Sequence, residues 1–194
     1  MKFDAYIIGK KGFDFLLLVI LLPILICLIL IIACLLKFFC TGPIIHWSER
    51  VGRHNKIYKM PKFRTMKIST PNLATHKLSN PETYITNLGK VLRKTSLDEL
   101  PQIFSILKGD MSFVGPRPAL FNQYDLIRLR KKHGVDNLIP GITGWAQING
   151  RDELNIEQKV MFDKEYMDKK SIFLDIKILW FTILTITQNK NISH

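Results

Sequence analysis

The sequence predicts an α-rich α/β fold: an N-terminal re-entrant membrane helix followed by a small cytoplasmic domain whose amphipathic helices lie at the membrane interface. Three observations predict this class. Residues 15–36 are uncharged and dominated by Leu, Ile and Val. The remaining chain alternates short helical patterns with a strand-like segment and with loops rich in Gly and Pro. The 28 Lys and Arg residues outnumber the 16 acidic ones, and the net charge of +12 favours anionic partners.

The apolar run is long enough to cross a bilayer, since it would measure about 33 Å as a straight helix. It exceeds the apolar core of a signal peptide and is followed by no cleavage site, which disfavours that alternative. Pro23 lies inside the run and predicts a kink. Basic residues flank the run on both sides, namely Lys2, Lys10 and Lys11 before it and Lys37, Arg50, Arg53, Lys56, Lys59 and Lys62 after it. The positive-inside rule therefore favours a helix that enters, bends and returns, while a single span kinked by proline stays open.

The break Thr41-Gly42-Pro43 divides the chain into a membrane segment, residues 1–40, and a polar domain, residues 41–194. In the polar domain the pattern predicts a strand at 57–65, a loop at 69–81, helices at 101–108, 119–132 and 153–169, a structured loop at 135–151, and a last helix after Ser171 that runs to residue 187. The apolar part of the last helix is too short to span a membrane, so this helix packs in the core or lies in the membrane interface.

Composition and motifs exclude several classes of protein. All three cysteines, Cys27, Cys34 and Cys40, lie in or beside the apolar segment, so the sequence predicts neither a disulfide framework nor a zinc site. The five histidines have no metal-binding spacing. The phosphate loop of NTPases, the dinucleotide-binding glycine motif and the nucleophile elbow of serine hydrolases are also missing from the sequence.

The adjacent carboxylates Asp98 and Glu99 are the strongest chemical signal. A carboxylate can attack phosphorus and form an acyl-phosphate, which divides one displacement into two steps. A structural alternative is also available, because Ser96 and Glu99 have the spacing of a helix capping box. Pro101 marks a helix start, so in either case the pair lies near a helix N-terminus, where anions are favoured.

Phosphate groups require cationic partners, and the sequence offers several. The candidates are Lys62, Arg64, Arg93, Arg117 and Arg151, to which we add Gln147 as a candidate for substrate binding. Prolines on both sides of Arg117 stiffen its backbone, whereas Arg128, Arg130, Lys131 and Lys132 have the pattern of a solvated helix face. A diphosphate beside carboxylates usually also brings Mg²⁺.

Taken together, these motifs resemble the bacterial sugar transferase family, the monotopic polyprenyl-phosphate phosphoglycosyltransferases, in a minimal short form. The segments that carry the resemblance are Lys62-Phe63-Arg64-Thr65-Met66, Leu92-Arg93, Ser96-Leu97-Asp98-Glu99-Leu100-Pro101-Gln102, Gly109-Asp110-Met111-Ser112, Val114-Gly115-Pro116-Arg117-Pro118 and Pro140-Gly141-Ile142-Thr143-Gly144. Two positions depart from the family pattern: Lys11-Gly12 stands in the lead-in before Phe13-Asp14, and Leu22 stands where a serine often precedes the membrane proline.

The resemblance implies an enzyme of the bacterial inner membrane whose catalytic domain lies on the cytoplasmic face. It would transfer a sugar 1-phosphate from a UDP-sugar to undecaprenyl phosphate, release UMP, and serve surface glycoconjugate synthesis. Asp98 would be the nucleophile and a Mg²⁺ contact, Glu99 its partner acid, and Asp163 a further acid near the metal or donor. His46-Trp47-Ser48 with Met60-Pro61 resembles the subgroup that handles N-acetylated amino sugars.

A second hypothesis is a membrane-anchored basic protein that binds nucleic acid or another anionic partner. The net charge and the aromatic residues Trp47, Tyr58 and Trp145 near basic residues support it. It leaves the acid pair unexplained, so we expect no nucleic-acid partner. Turnover of a UDP-sugar would exclude binding as the main role.

Overall fold

The computed structural model describes residues 2–70, 81–150 and 153–187, and it confirms a helix-rich α/β protein with one long apolar N-terminal helix. The helices are α1 (Lys2–Phe39), α2 (Asn87–Lys94), α3 (Ile103–Leu107), α4 (Tyr124–Lys132), α5 (Trp145–Ile148), α6 (Ile156–Lys169) and α7 (Ile172–Thr187). The strands are β1 (Ile45–Val51), β2 (Ile57–Phe63), β3 (Ser112–Val114), β4 (Ala119–Leu120) and β5 (Gly141–Thr143). Short 3₁₀ segments cover Arg53–Asn55, Pro81–Tyr84, Leu97–Gln102 and Val135–Asn137.

The strands form two small sheets. The first has the order β2-β1-β4 and is antiparallel, with Ile45 opposite Phe63 and Val51 opposite both Ile57 and Ala119. In the second, β3 and β5 are parallel, with Ser112 opposite Gly141. The predicted strand at 57–65 is thus confirmed as β2.

Two sequence predictions on the loops and helices need correction. The predicted helix at 119–132 begins only at Tyr124, because residues 119 and 120 extend the first sheet as β4. The predicted structured loop at 135–151 contains β5 and α5, since residues 141–143 pair with β3. Tertiary strand pairing decides both cases, and neither pairing has a local sequence signal. Most of the predicted loop at 69–81 lies outside the described residues.

The other helix predictions are confirmed with small shifts. The predicted helix at 101–108 is a 3₁₀ segment followed by α3, and Gly109 ends it with a positive φ of 80°. Helix α6 starts with a full capping box between Asn155 and Gln158. The hydroxyl of Ser171 accepts a hydrogen bond from the Leu174 amide at the start of α7, as predicted.

Helix α1 runs without interruption through Pro23 and packs on the rest of the protein along one face. It is the one helix among the described residues that is long and apolar enough to cross a membrane, and only 11% of its most apolar window is buried. The face that contacts the domain is polar in its first turns, at Tyr6, Lys10 and Asp14, and apolar from Leu18 to Leu36. The re-entrant course of this helix stays a prediction.

The hydrophobic core lies between α1 and the small sheets. One cluster joins Leu18 of α1 to Met60 of β2, Ile103 of α3, Val114 of β3 and Ile178 of α7. A second cluster joins Ile32 and Leu36 to Phe63 and Leu92. Helix α7 contributes Ile178 to the core and leaves apolar side chains exposed on its other faces, namely Phe173, Ile176, Trp180, Phe181 and Ile183.

Candidate active site

The acid pair lies in the 3₁₀ segment Leu97–Gln102, and the capping box is absent there. Ser96 has a left-handed backbone (φ 57°, ψ 16°), whereas a residue that caps a helix through its side chain has an extended one. The hydroxyl of Ser96 makes no hydrogen bond with any described residue, and the carboxylate of Glu99 accepts from Lys62 and Arg117 instead. The structural alternative for this pair is therefore wrong.

Glu99 is neutralised by two cations from distant parts of the chain. Lys62 Nζ on β2 donates to Glu99 Oε1 at 2.6 Å. Arg117 donates through both terminal nitrogens, at 2.6 Å to Oε1 and 3.3 Å to Oε2. Burial alone raises the pKa of Glu99, but Arg117 and Lys62 outweigh it and hold the pKa well below its usual value. Glu99 is therefore a fixed, charged anchor for two cations.

Asp98 has the opposite environment. Its side chain is buried, with 6% of the residue exposed, and its Oδ1 atom has no hydrogen-bond partner among the described residues. Burial raises the pKa of Asp98 to about 6, with Lys62 opposing the shift and the charge of Glu99 adding to it. A buried carboxylate oxygen without a partner is rare in folded proteins. It therefore has no internal hydrogen bond to lose when a ligand, a cation or an electrophile binds Asp98.

Asp98 opens onto a cavity of about 780 Å³ that runs from β1 and β2 to α2. This volume is within the range of small-molecule sites. Among the described residues, six cationic side chains and one other carboxylate, Glu49, line it with Asp98; the cations are Arg50, Lys59, Lys62, Arg64, Lys67 and Arg93. Such a lining favours an anionic ligand with several charges.

Two of these cations are held in place by neutral oxygen atoms, which leaves their charge for a ligand. Arg64 Nε donates to the carbonyl of Pro43 at 2.9 Å, and Arg93 Nε donates to the Thr65 hydroxyl at 2.9 Å. Thr65 is itself buried. The arrangement fixes two guanidinium groups in the wall that contains Asp98.

The predicted site residues are only partly brought together. Asp98, Lys62, Arg64 and Arg93 line the cavity. Glu99 does not line it but forms ion pairs with Lys62 and with Arg117. Gln147 does not line it, because its amide donates to the carbonyl of Ile142 at 2.9 Å. Arg151 lies outside the described residues.

Asp163 lies away from the cavity. It is 1% exposed and accepts hydrogen bonds from Arg130 Nε and Nη2 at 2.9 and 2.7 Å. The prediction that Arg130 belongs to a solvated helix face is wrong, although Arg128, Lys131 and Lys132 are exposed as predicted. The spacing of four residues from Leu126, which is buried, could have placed Arg130 on the buried face of α4.

Arg50 is a site residue that the sequence analysis counted only as a flanking charge. Its guanidinium donates to the Ser48 hydroxyl at 3.1 Å and to the carbonyl of Pro118 at 3.2 Å, and it lines the cavity. Pairing of β1 with β2 puts Arg50 opposite Tyr58 and His46 opposite Lys62. Recognition of this hairpin in the sequence would have placed Arg50 on the same face as Lys62.

The fit of Mg²⁺ differs among the predicted ligands. Asp98 suits it, because this carboxylate lines the cation-rich cavity and its Oδ1 has no hydrogen-bond partner among the described residues, and Mg²⁺ commonly uses one or two carboxylates with phosphate oxygens. Asp163 does not suit it, because its carboxylate is already neutralised by Arg130. Within the described residues no group of three or more His, Cys, Asp or Glu side chains surrounds a common point.

The aromatic residues that supported a nucleic-acid surface are not arranged as a stacking platform. Tyr58 is 9% exposed and belongs to the core. Trp145 donates its indole N–H to Glu165 at 2.9 Å on α6, while Trp47 is exposed beside the cavity. The three residues therefore give no continuous basic and aromatic surface.

Comparison with known proteins identifies the family. The family model described as bacterial sugar transferase matches residues 5–189. The uncharacterized sugar transferase EpsL of Bacillus subtilis (strain 168) is 37% identical over 187 residues, which cover 95% of this chain and 90% of that protein. The UDP-glucose:undecaprenyl-phosphate glucose-1-phosphate transferase of Escherichia coli (strain K12) is 38% identical over 182 residues, or 90% of this chain.

A third relative, the UDP-N-acetylgalactosamine-undecaprenyl-phosphate N-acetylgalactosaminephosphotransferase of Aeromonas hydrophila, is 36% identical over 189 residues, or 93% of this chain. The chain spans 38% of the length of the Escherichia coli protein and 44% of that of the Aeromonas protein. With nearly its whole length matched, the chain belongs to the bacterial sugar transferase family and is a phosphoglycosyltransferase.

Proposed function

We propose that this protein transfers a sugar 1-phosphate from a UDP-sugar to undecaprenyl phosphate through a covalent intermediate on Asp98, with release of UMP. The single observation that carries the proposal is the contrast between the two adjacent carboxylates. Glu99 is saturated by Lys62 and Arg117, whereas Asp98 lines a cation-rich cavity and its buried Oδ1 has no hydrogen-bond partner among the described residues. Relatives named as undecaprenyl-phosphate sugar phosphotransferases support the same general reaction.

In the first step an oxygen of Asp98 attacks the phosphorus that bears the sugar. A bond forms between that oxygen and phosphorus, and the bond from phosphorus to the bridging oxygen of the diphosphate breaks, so that UMP leaves with the electron pair. With a pKa of about 6, Asp98 is mostly ionised at neutral pH and can act without a separate base. Arg93 and Arg64 in the same wall are suited to stabilise the charge on the departing phosphate.

In the second step a phosphate oxygen of undecaprenyl phosphate attacks the same phosphorus. The bond to Asp98 breaks, the carboxylate is restored, and the product is the lipid diphosphate sugar. In both steps an anionic nucleophile attacks an anionic phosphate group and expels an anionic leaving group. The site therefore needs fixed positive charge. Lys62, held by Glu99 beside Asp98, supplies such a charge within the cavity.

We further propose Mg²⁺ as the cofactor, with Asp98 as its contact on the protein. When bound, the ion neutralises the charge that develops on the diphosphate oxygens. The chain's own part is to offer a carboxylate oxygen without a competing hydrogen bond, next to cations that hold the phosphates.

The donor sugar that we propose is an N-acetylated amino sugar. The segments His46-Trp47-Ser48 and Met60-Pro61 support this, since His46, Trp47 and Ser48 line the cavity. The relatives leave the choice open, because proteins named for glucose and for N-acetylgalactosamine are 38% and 36% identical to the chain.

We also propose that α1 is re-entrant and that the domain lies on the cytoplasmic face of the bacterial inner membrane. Both ends of α1 contact the same domain, Lys10 through an ion pair with Asp175 and Leu36 through a cluster with Phe63 and Leu92. A helix that crossed the bilayer would separate its two ends by the membrane thickness, about 30 Å. A domain on one side of the bilayer contacts both ends of α1 only if both ends lie on that side.

The test measures UMP release from a panel of UDP-sugars with undecaprenyl phosphate and Mg²⁺, with Asp98→Asn as the inactive control. We expect repeated turnover that depends on both the UDP-sugar and the lipid, with highest kcat/KM for an N-acetylated amino sugar. Without the lipid, the first step should release one UMP per enzyme, and repeated turnover without the lipid would contradict the acceptor. No release from any UDP-sugar, together with tight salt-sensitive binding of nucleic acid, would favour the binding protein instead.

A further inference from the structure

The turn that carries Arg117 is held by hydrogen bonds to three consecutive carbonyl groups. The carbonyls of Pro116, Arg117 and Pro118 accept from the Gly141 amide, Arg130 Nη1 and Arg50 Nη1 at 3.0, 2.8 and 3.2 Å. The two prolines fix their own φ angles but leave free the orientation of the peptide group between Arg117 and Pro118. Arg130 fixes that remaining peptide group, because it bonds the carbonyl of Arg117 itself.

Arg130 is itself oriented by Asp163. One oxygen of Asp163 accepts from both Nε and Nη2 of Arg130, and the third nitrogen, Nη1, is thereby aimed at the turn. The pair is buried, with side-chain exposures of 12% for Arg130 and 2% for Asp163. A planar guanidinium held by a carboxylate on one edge has little rotational freedom on the other.

We propose that Asp163 and Arg130 are positioning residues, which hold Arg117, and through it Glu99 and Lys62, in register with Asp98. The chain of contacts is continuous, from Asp163 to Arg130, to the Arg117 carbonyl, and from the Arg117 guanidinium to both oxygens of Glu99. Asp163 thus acts at a distance from the reacting phosphorus. The inference deepens the proposed function and rests on it.

The competing assignment makes Asp163 a ligand of the metal, and the structure disfavours it. A carboxylate that accepts two charge-assisted hydrogen bonds in the protein interior would have to lose them to bind a cation. Asp163 also does not line the cavity that contains Asp98. Both assignments make Asp163→Asn less active, so activity alone does not separate them.

The test combines a double-mutant cycle with hydrogen exchange. Asp163→Asn should lower kcat/KM for UMP release by about 10- to 100-fold, the size expected when a catalytic group is misplaced by about 1 Å. In an Arg117→Met background the same change should cost less than about twofold, because the group that Asp163 positions is gone. Equal losses in both backgrounds would overturn the proposal.

Hydrogen exchange tests the positioning without reference to activity. The amides of Gly115 and Gly141 are bonded across the turn, to the carbonyls of Thr143 and Pro116. Both should exchange faster in Asp163→Asn than in the wild type, and unchanged exchange would overturn the proposal. This outcome is separate from a failure of the proposed function, which wild-type turnover decides.

Two further variants complete the design. Glu165→Gln changes the same helix two residues away; it removes an exposed ion pair with Lys169 and leaves an amide oxygen that can still accept from Trp145, so activity and exchange at the turn should stay at wild-type levels. If Asp163→Asn does not fold, Arg130→Lys replaces it, because an ammonium cannot bond Asp163 and the Arg117 carbonyl in the same geometry. The Mg²⁺ concentration for half-maximal activity should be unchanged in the variants, whereas a rise of more than about tenfold would favour the metal-ligand assignment and overturn ours.

Discussion

Replacement of Lys10 by methionine should destabilise the protein by about 3 kcal/mol, because it leaves the carboxylate of Asp175 buried without its cation. Asp175 is 0% exposed, and Lys10 Nζ on α1 donates to its Oδ2 atom at 2.8 Å. Breaking a buried ion pair by removal of one partner costs about 3–5 kcal/mol. We expect the low end, since the hydroxyls of Tyr166 and Tyr6 still donate to Asp175 at 2.7 and 3.2 Å.

The sequence provides a matched control at the next residue. Lys11→Met removes the same charge, but Lys11 is exposed and forms no ion pair with the described residues, so its effect should stay within about 0.5 kcal/mol. A double variant, Lys10→Met with Asp175→Asn, should be more stable than Lys10→Met alone, because a neutral amide no longer needs a cation. Denaturant unfolding in detergent measures all three. Equal effects of Lys10→Met and Lys11→Met would refute the argument.

The same pair of variants tests how α1 lies in the membrane. Single cysteines at Lys2 and Lys56, with the three native cysteines replaced, should react with an impermeant maleimide only after the membrane is broken. Lys10→Met should let the site at Lys2 react in intact cells in a fraction of molecules, since the contact that holds that end to the domain is weakened, and Lys11→Met should not. If the wild-type site at Lys2 reacts in intact cells and the site at Lys56 does not, the helix spans the membrane.

Three further predictions concern the chemistry. Asp98→Asn should lower UMP release by at least about a thousandfold with the fold retained, because an amide cannot form the acyl-phosphate. Glu99→Gln should also be severely impaired. Near-normal turnover of Asp98→Asn would exclude Asp98 as the nucleophile. The raised pKa of Asp98, about 6, predicts that kcat/KM falls as the pH drops below about 6, because the protonated acid does not attack. Arg93→Met removes a cation that lowers this pKa, so in this variant kcat/KM should begin to fall at a higher pH. Excess EDTA should stop UMP release and Mg²⁺ should restore it, and full activity in EDTA would contradict the proposed cofactor.

The sequence predicted which residues line this cavity better than how those residues are arranged. Asp98 and its neighbouring cations were recognisable because a carboxylate pair next to basic motifs has few other uses. The partners of Glu99 were not, since Lys62 and Arg117 lie 37 and 18 residues away in the chain. A local capping box explained Glu99 equally well until the left-handed backbone of Ser96 excluded it. Local patterns do not decide between a local and a distant partner for the same side chain.

The same limit applies to the fold. Helices with their own caps were predicted well, as the capping box at Asn155 and the hydroxyl of Ser171 illustrate. Strands β4 and β5 were missed because each has only two or three residues and exists through pairing with a distant strand. The buried role of Arg130 was missed because its basic neighbours suggest a solvated face, although its spacing of four residues from the buried Leu126 and its distant partner Asp163 both set it apart.

The membrane segment belongs to the structure that forms the active site. Ile32 and Leu36 of α1 pack with Phe63 and Leu92, and each of those two residues is the direct chain neighbour of a cation that lines the cavity, Lys62 or Arg93. Loss of the α1 contacts would expose Phe63, which is 2% accessible, and release the strand that positions Lys62. The composition of the chain separates residues 1–40 from the rest, yet packing joins them in one core. The cations that line the cavity are therefore held on elements that pack against α1.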